Sequence, residues 1–184
     1  MKYFYVGATA DLRTDTDREA LTALRGRVGE EFGLPVRAIE LPAIDFTFDA
    51  ARGQYASSAA LDLLVRETPP DAAKLLAVTT RDLFIPVLTF VFGQAQLNGR
   101  VGIVSLARLR QEFYTLPPDG AVFLDRAVKE ALHESGHLFG LIHCADRGCA
   151  MSLSTGVRQI DIKQPAFCGP CQGRIRRPSR GESQ

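Results

Sequence analysis

Apolar residues change their spacing several times along the chain, and each change marks an element. Tyr3 to Val6 is aromatic and β-branched and is closed by Gly7, which predicts a buried first strand. Leu21, Leu24, Val28 and Phe32 then recur at helical spacing until Gly33-Leu34-Pro35 stops the run. Thr16-Asp17-Arg18-Glu19 reads as the capping box at the start of that helix. Val36 to Leu41 predicts a second strand, so the chain opens as a β-α-β unit with a parallel pair and a right-handed crossover.

Residues 42–56 have no clear period, are interrupted by Gly53 and read as a loop. Ser57 to Glu67 predicts a second helix with Leu61, Leu64 and Val65 inward and Pro69-Pro70 at its end; Lys74 to Thr79 predicts a third strand. Asp82 to Pro86 is a connection, because proline cannot donate to a central ladder. Phe90-Val91-Phe92 and Val101 to Val104 predict two more strands. Asn98-Gly99 between them is a hairpin signal, so they pair antiparallel with the Phe90 strand at the sheet edge. After the turn at Thr115 to Gly120, the main helix runs from Ala121 to about Phe139. Its stripe is Leu124, Val128, Ala131, Leu132, Ser135 and Leu138, with His133 and His137 off the centre. Gln164 to Phe167 is a loop, and residues 172–184 predict a flexible basic tail.

Composition narrows the class. The chain has 184 residues, 46% hydrophobic and 23% charged, as expected of one globular domain with a real core. A net charge of +1 gives no global field favouring nucleic acid or an anionic membrane. The apolar run at the N-terminus is too short for a signal-peptide core, and no run reaches the roughly 18 residues of a membrane span. The expected compartment is the cytosol, where thiols stay reduced and clustered cysteines mean metal.

All three histidines and all four cysteines lie between His133 and Cys171. His133 and His137 sit one helical turn apart, so both imidazoles can reach one metal ion. Glu134 can project beside that metal and take a proton from the water it activates. A helix cannot bring His143 to the same ion; the chain must turn, and Gly140 tolerates the left-handed conformation needed. Three neutral imidazoles leave a fourth zinc position open, the arrangement of a catalytic site that hydrolyses amides. Cys168 and Cys171 form a C-x-x-C knuckle, and Cys144 and Cys149 would complete a closed, structural zinc site. One or two disulfides, or a redox-active C-x-x-C, are the competing readings. Because Cys144 follows His143, a structural site would hold the third ligand of the first.

At these residues the chain resembles a known family. His133-Glu-x-x-His137-x-x-Gly140-x-x-His143 followed by Met151 is similar to the metzincin clan of zinc metallopeptidases. The added Cys144, Cys149, Cys168 and Cys171 resemble the archaemetzincins in particular, as do Asp82 to Gly93 and Ser105 to Leu109. The resemblance implies an α/β fold: a twisted mixed sheet of about five strands, mostly parallel with one antiparallel edge strand. Backing helices, including the zinc-binding one, and a small C-terminal part would complete a single catalytic domain over residues 1–171, divided at residue 140. Met151 would be the Met-turn residue under the zinc; a core methionine is the plainer reading. Phe90, Val91 and Phe92 would line the cleft and bind extended peptide by strand addition. Two zinc ions, a peptide or small-protein substrate and a monomer are expected, with no membrane or nucleic-acid partner. A zinc-stabilised peptide-binding protein is the alternative, and the general base Glu134 argues against it. Arg174, Arg176, Arg177 and Arg180 lack interleaved aromatics and read as solubilising. No tyrosine follows Tyr114, so the tyrosine ligand found in some metzincins is absent, and no cysteine precedes the helix to act as a latency switch.

Overall fold

The structure is a computed structural model that describes residues 1–175. Its main sheet contains β1 (Tyr3–Thr9), β2 (Val36–Leu41), β5 (Ala72–Thr79), β7 (Gly93–Ala95) and β8 (Val101–Ser105), in the order β2-β1-β5-β8-β7. All pairs are parallel except β7 with β8. Strand order runs outward from β1 in both directions, and right-handed crossovers then place successive helices on opposite faces. Thus α1 (Asp15–Phe32) and the long α3 (Gly120–Leu138) lie on one face, and α2 (Ser57–Glu67) on the other. Pleating divides β1 between them: Phe4 and Val6 join the α1–α3 core, and Tyr5 the α2 core. No helix among the described residues is long and apolar enough to cross a membrane.

Several elements differ from their expected form. The cap of α1 is Thr14, two residues before the expected Thr16, with Asp17 as its reciprocal partner. Asp17 is only 2% exposed; its carboxylate accepts from the amides of Arg13 and Thr14 and from the Arg110 guanidinium. That tertiary ion pair favours Asp17 over Glu19 and sets the start of the helix. Val65 is 51% exposed, and Ala60, Leu61 and Leu64 form the inner face of α2 instead. Residues 42–56 are not merely a loop. They contain β3 (Phe48–Asp49) and β4 (Gln54–Ala56), which with β6 (Leu83–Phe84) make a second, three-stranded sheet. Strands of two or three residues are too short to show a period. Residues 172–175 belong to α5 (Gly169–Ile175) rather than to a tail, and the remainder of the expected tail lies outside the described residues.

Helix α3 is buried on nearly all sides. Phe123, Ala127, Ala131 and Leu138 pack into the sheet and α1, whereas Val128 and Leu132 pack against residues 141–171. Arg126 forms a paired bond to Asp161 of α4 (Val157–Ile162), at 2.6 and 2.9 Å, which ties the C-terminal part to the helix. Replacing Asp17 with alanine removes a helix cap and strands Arg110. We expect a loss of about 1–3 kcal/mol, and an unchanged urea midpoint would contradict this account of the helix start.

Candidate active site

His133, Glu134 and His137 lie in the last two turns of α3. Gly140, at φ 83°, then reverses the chain with its amide donating to the His137 carbonyl, and the return delivers His143 to the same point. One nitrogen from each imidazole lies within 4.8 Å of the others. The His133 Nδ1 is 2.8 Å from the Ala150 carbonyl, and the His137 Nδ1 is 2.7 Å from the Leu141 carbonyl. Carbonyls only accept, so both Nδ1 atoms carry the proton. Both Nε2 lone pairs then face each other across 3.1 Å, with no hydrogen to share. That repulsive arrangement fits a cation between them. Burial foremost pushes all three imidazole pKa values down, and the Lys163 charge adds to it, so the rings stay neutral.

Glu134 is buried beside this cluster. Burial, and then the neighbouring Glu130 carboxylate, push its carboxyl well above the ordinary range, with Lys163 opposing. Glu130, which lines the cleft, and Lys163, whose charge acts on the histidines and Glu134, are neighbours of the candidate site that sequence reasoning missed. They form a buried ion pair of 2.8 Å. Glu130 is one turn before Glu134 on the same face, a signal the sequence did contain. Lys163 arrives from beyond α4 and gives no such signal.

Expected edge residues and actual edge strand are offset by three. Phe90, Val91 and Phe92 precede β7 rather than form it: Phe92 is core, and Val91 makes a single bridge to Leu83. The edge is Gly93–Ala95, which pairs with Val104 to Gly102 of β8, and Glu134 lies against its first residue. A Cβ on Gly93 would stand 2.6–2.7 Å from the Glu134 side chain, so any larger residue there would have to displace it. Phe92 accepts from the Ser105 amide, and Gln96 donates to Val101, so residues 92, 94 and 96 face β8. Gly93 and Ala95 therefore turn their amides and carbonyls outward, into a cleft of about 490 Å³. Phe90, Val91 and Phe92 still line that cleft, whose floor holds His133, Glu134 and His143.

The four cysteines are free, and their sulfurs all lie within 4.8 Å of one another. Cys144 and Cys168 are 3.7 Å apart, far beyond a disulfide bond and close to the edge of about 3.8 Å of a tetrahedron with Zn–S bonds of 2.3 Å. Cys149 Sγ accepts from the amides of Met151 and Cys168, which offsets part of the burial that pushes its thiol pKa up. The donor set fits zinc. This cluster also reaches the histidines twice: Cys144 donates its amide to the Met151 carbonyl, and Ala150 between Cys149 and Met151 orients His133. Met151 is fully buried with its sulfur against Gly136, where an added methyl would overlap it. A Gly136→Ala variant should therefore lose about 1–3 kcal/mol of stability, measured by denaturant titration; wild-type stability would mean that this contact is slack.

Comparison with known proteins extends the match well beyond the site. Residues 30–177 match the model of peptidase family M54. The archaemetzincin of Methanocaldococcus jannaschii is 41% identical over 160 residues, covering 85% of this chain and 86% of that one. The crystal structure of the Methanopyrus kandleri archaemetzincin superposes with a TM-score of 0.86 at 35% identity, covering 98% of this chain and 97% of that chain. The crystal structure of a zinc-dependent peptidase from Methanocorpusculum labreanum gives a TM-score of 0.78 at 30% identity, covering 94% of this chain and 99% of that chain. Agreement of this extent in both sequence and fold makes the chain a member of peptidase family M54, the archaemetzincins.

Proposed function

We propose that the protein hydrolyses peptide bonds in extended peptides or small proteins. One zinc ion would sit on His133, His137 and His143, and a second on Cys144, Cys149, Cys168 and Cys171. The observation that carries the proposal is the facing pair of bare Nε2 lone pairs beside a buried carboxylate, under the free edge of a strand. A zinc ion held by three neutral imidazoles supplies Lewis-acid polarisation of a carbonyl and lowers the pKa of water to about 7.

The chain's own residues do the rest. The outward amides and carbonyls of Gly93 and Ala95 bind the substrate backbone as an added strand, which places its carbonyl above the histidines. Glu134 accepts a proton from the attacking water and returns it to the leaving amine nitrogen as the C–N bond breaks. Contact with Gly93 holds its carboxylate in place. The partly exposed side chains of Leu88, Ile142 and Leu153 give the cleft an apolar rim for substrate side chains. The four-cysteine site has no open position and serves by holding Met151, Ala150 and His143. A binding protein without turnover has no need of an ionisable group buried at this point, where its surroundings disfavour the charged form.

Two measurements test the scheme. Glu134→Gln should leave zinc at about two ions per chain while lowering hydrolysis of a peptide library at least ~100-fold. Undiminished cleavage by that variant would refute the assigned base. Gly93→Ala should lower kcat about 10–100-fold by displacing Glu134, with zinc content unchanged; wild-type kcat would show that the close approach is irrelevant to the chemistry.

A further inference from the structure

Lys74 stands on the central strand β5, half-buried, and its ammonium bonds to two carbonyls from separate elements. Nζ donates to Gly99 in the β7–β8 turn at 2.7 Å and to Leu138, the last residue of α3, at 2.6 Å. It also lies 5.0 Å from the centre of the Phe139 ring. Burial and the nearby Arg100 cation both work against its charge. A lysine held in such surroundings has to be answered by partners that gain from a cation. The unsatisfied carbonyl end of a helix is one, and a turn carbonyl is another.

A second tie joins the same two elements. Asn98, left-handed at φ 53°, donates its amide to the His137 carbonyl at 2.8 Å. The tip of the hairpin is thus fastened to the turn of α3 that carries His137. At its other end, β7 rests on Glu134 through Gly93. The strand therefore lies along α3 from Glu134 to His137, and the ties at its tip decide how far along it sits.

We infer that Lys74 is a positioning residue for the proposed hydrolysis: its ammonium fixes β7 against the end of α3 and so sets where a paired peptide lies relative to Glu134 and His137. The inference rests on the reading of β7 as the substrate-binding edge. Lys74 itself neither lines the cleft nor ligates a metal. Losing it leaves the histidines in place but lets the strand slide or lift. Ligands that pair along β7 should feel that loss, and ligands that reach only the metal should not.

The test compares zinc-loaded wild-type protein with Lys74→Met and Lys74→Arg. Amide hydrogen exchange is followed at Asn98 and at Val6 in the core. Binding is measured for acetohydroxamate, which reaches only the metal, and for a leucine- and alanine-based tetrapeptide hydroxamate, which can also pair with β7. In Lys74→Met, Asn98 should exchange at least about tenfold faster with Val6 unchanged. The tetrapeptide probe should bind at least about tenfold more weakly, while acetohydroxamate stays within about twofold. Lys74→Arg, which keeps charge and donors, should restore most of both. Equal losses for the two probes, or unchanged Asn98 exchange with unchanged tetrapeptide binding, would overturn the role. Should Lys74→Met fail to fold, Lys74→Gln is judged by the same criteria. Wild-type protein that binds both probes yet cleaves no peptide would count against the hydrolytic reading alone, since exchange and binding judge Lys74 separately.

Discussion

The hydrogen bond from His133 Nδ1 to the Ala150 carbonyl joins the two parts on which the whole site depends. It reaches from the buried helix α3 to a segment that has little secondary structure of its own. That segment is held by the four-sulfur cluster on either side of Ala150, by Met151 against Gly136 and by the Arg126–Asp161 and Glu130–Lys163 pairs. One carbonyl thereby fixes a ring orientation, a tautomer and the direction of the Nε2 lone pair that would meet a metal in the proposed site. Burial of α3 on almost every side makes this possible. A helix exposed on one face would let its last turn fray, and the histidines would lose their common focus.

The edge strand solves a different problem. A peptide has to be held by its backbone while a carboxylate stands close enough to reach its attacking water. In the proposed reaction β7 would do both because it is short and small: glycine where Glu134 needs room, and an unpaired row of backbone groups beyond. Exposed edges invite aggregation, and three residues keep this one brief. The bulky aromatics nearby serve packing, with Arg108 stacked 4.0 Å from the Phe90 ring centre and Phe92 in the core.

Much of this was legible because its signals are local. Helical spacing announces α1, α2 and α3; Asn98-Gly99 announces the antiparallel pair; His133, His137 and His143 converge as their spacing requires. What escaped was set by distant partners. The start of α1 moved to Thr14 because Arg110, from far along the chain, takes Asp17. Phe90 to Phe92 looked like the edge strand by residue type, but pairing with β8 gave that place to Gly93–Ala95. Lys163 and Lys74 are invisible in one dimension, since nothing near either names its partner. Tertiary contact, rather than propensity, decided each of these.

The central claim is that the C-terminal four-sulfur part holds the three-histidine site together. Its most direct test is the zinc affinity of the histidine site, by chelator competition, in wild-type protein and in a Cys168→Ser, Cys171→Ser double variant. The account predicts that emptying the sulfur site weakens zinc at the histidines by about 10–100-fold. Wild-type affinity at the histidines with the sulfur site empty would contradict it.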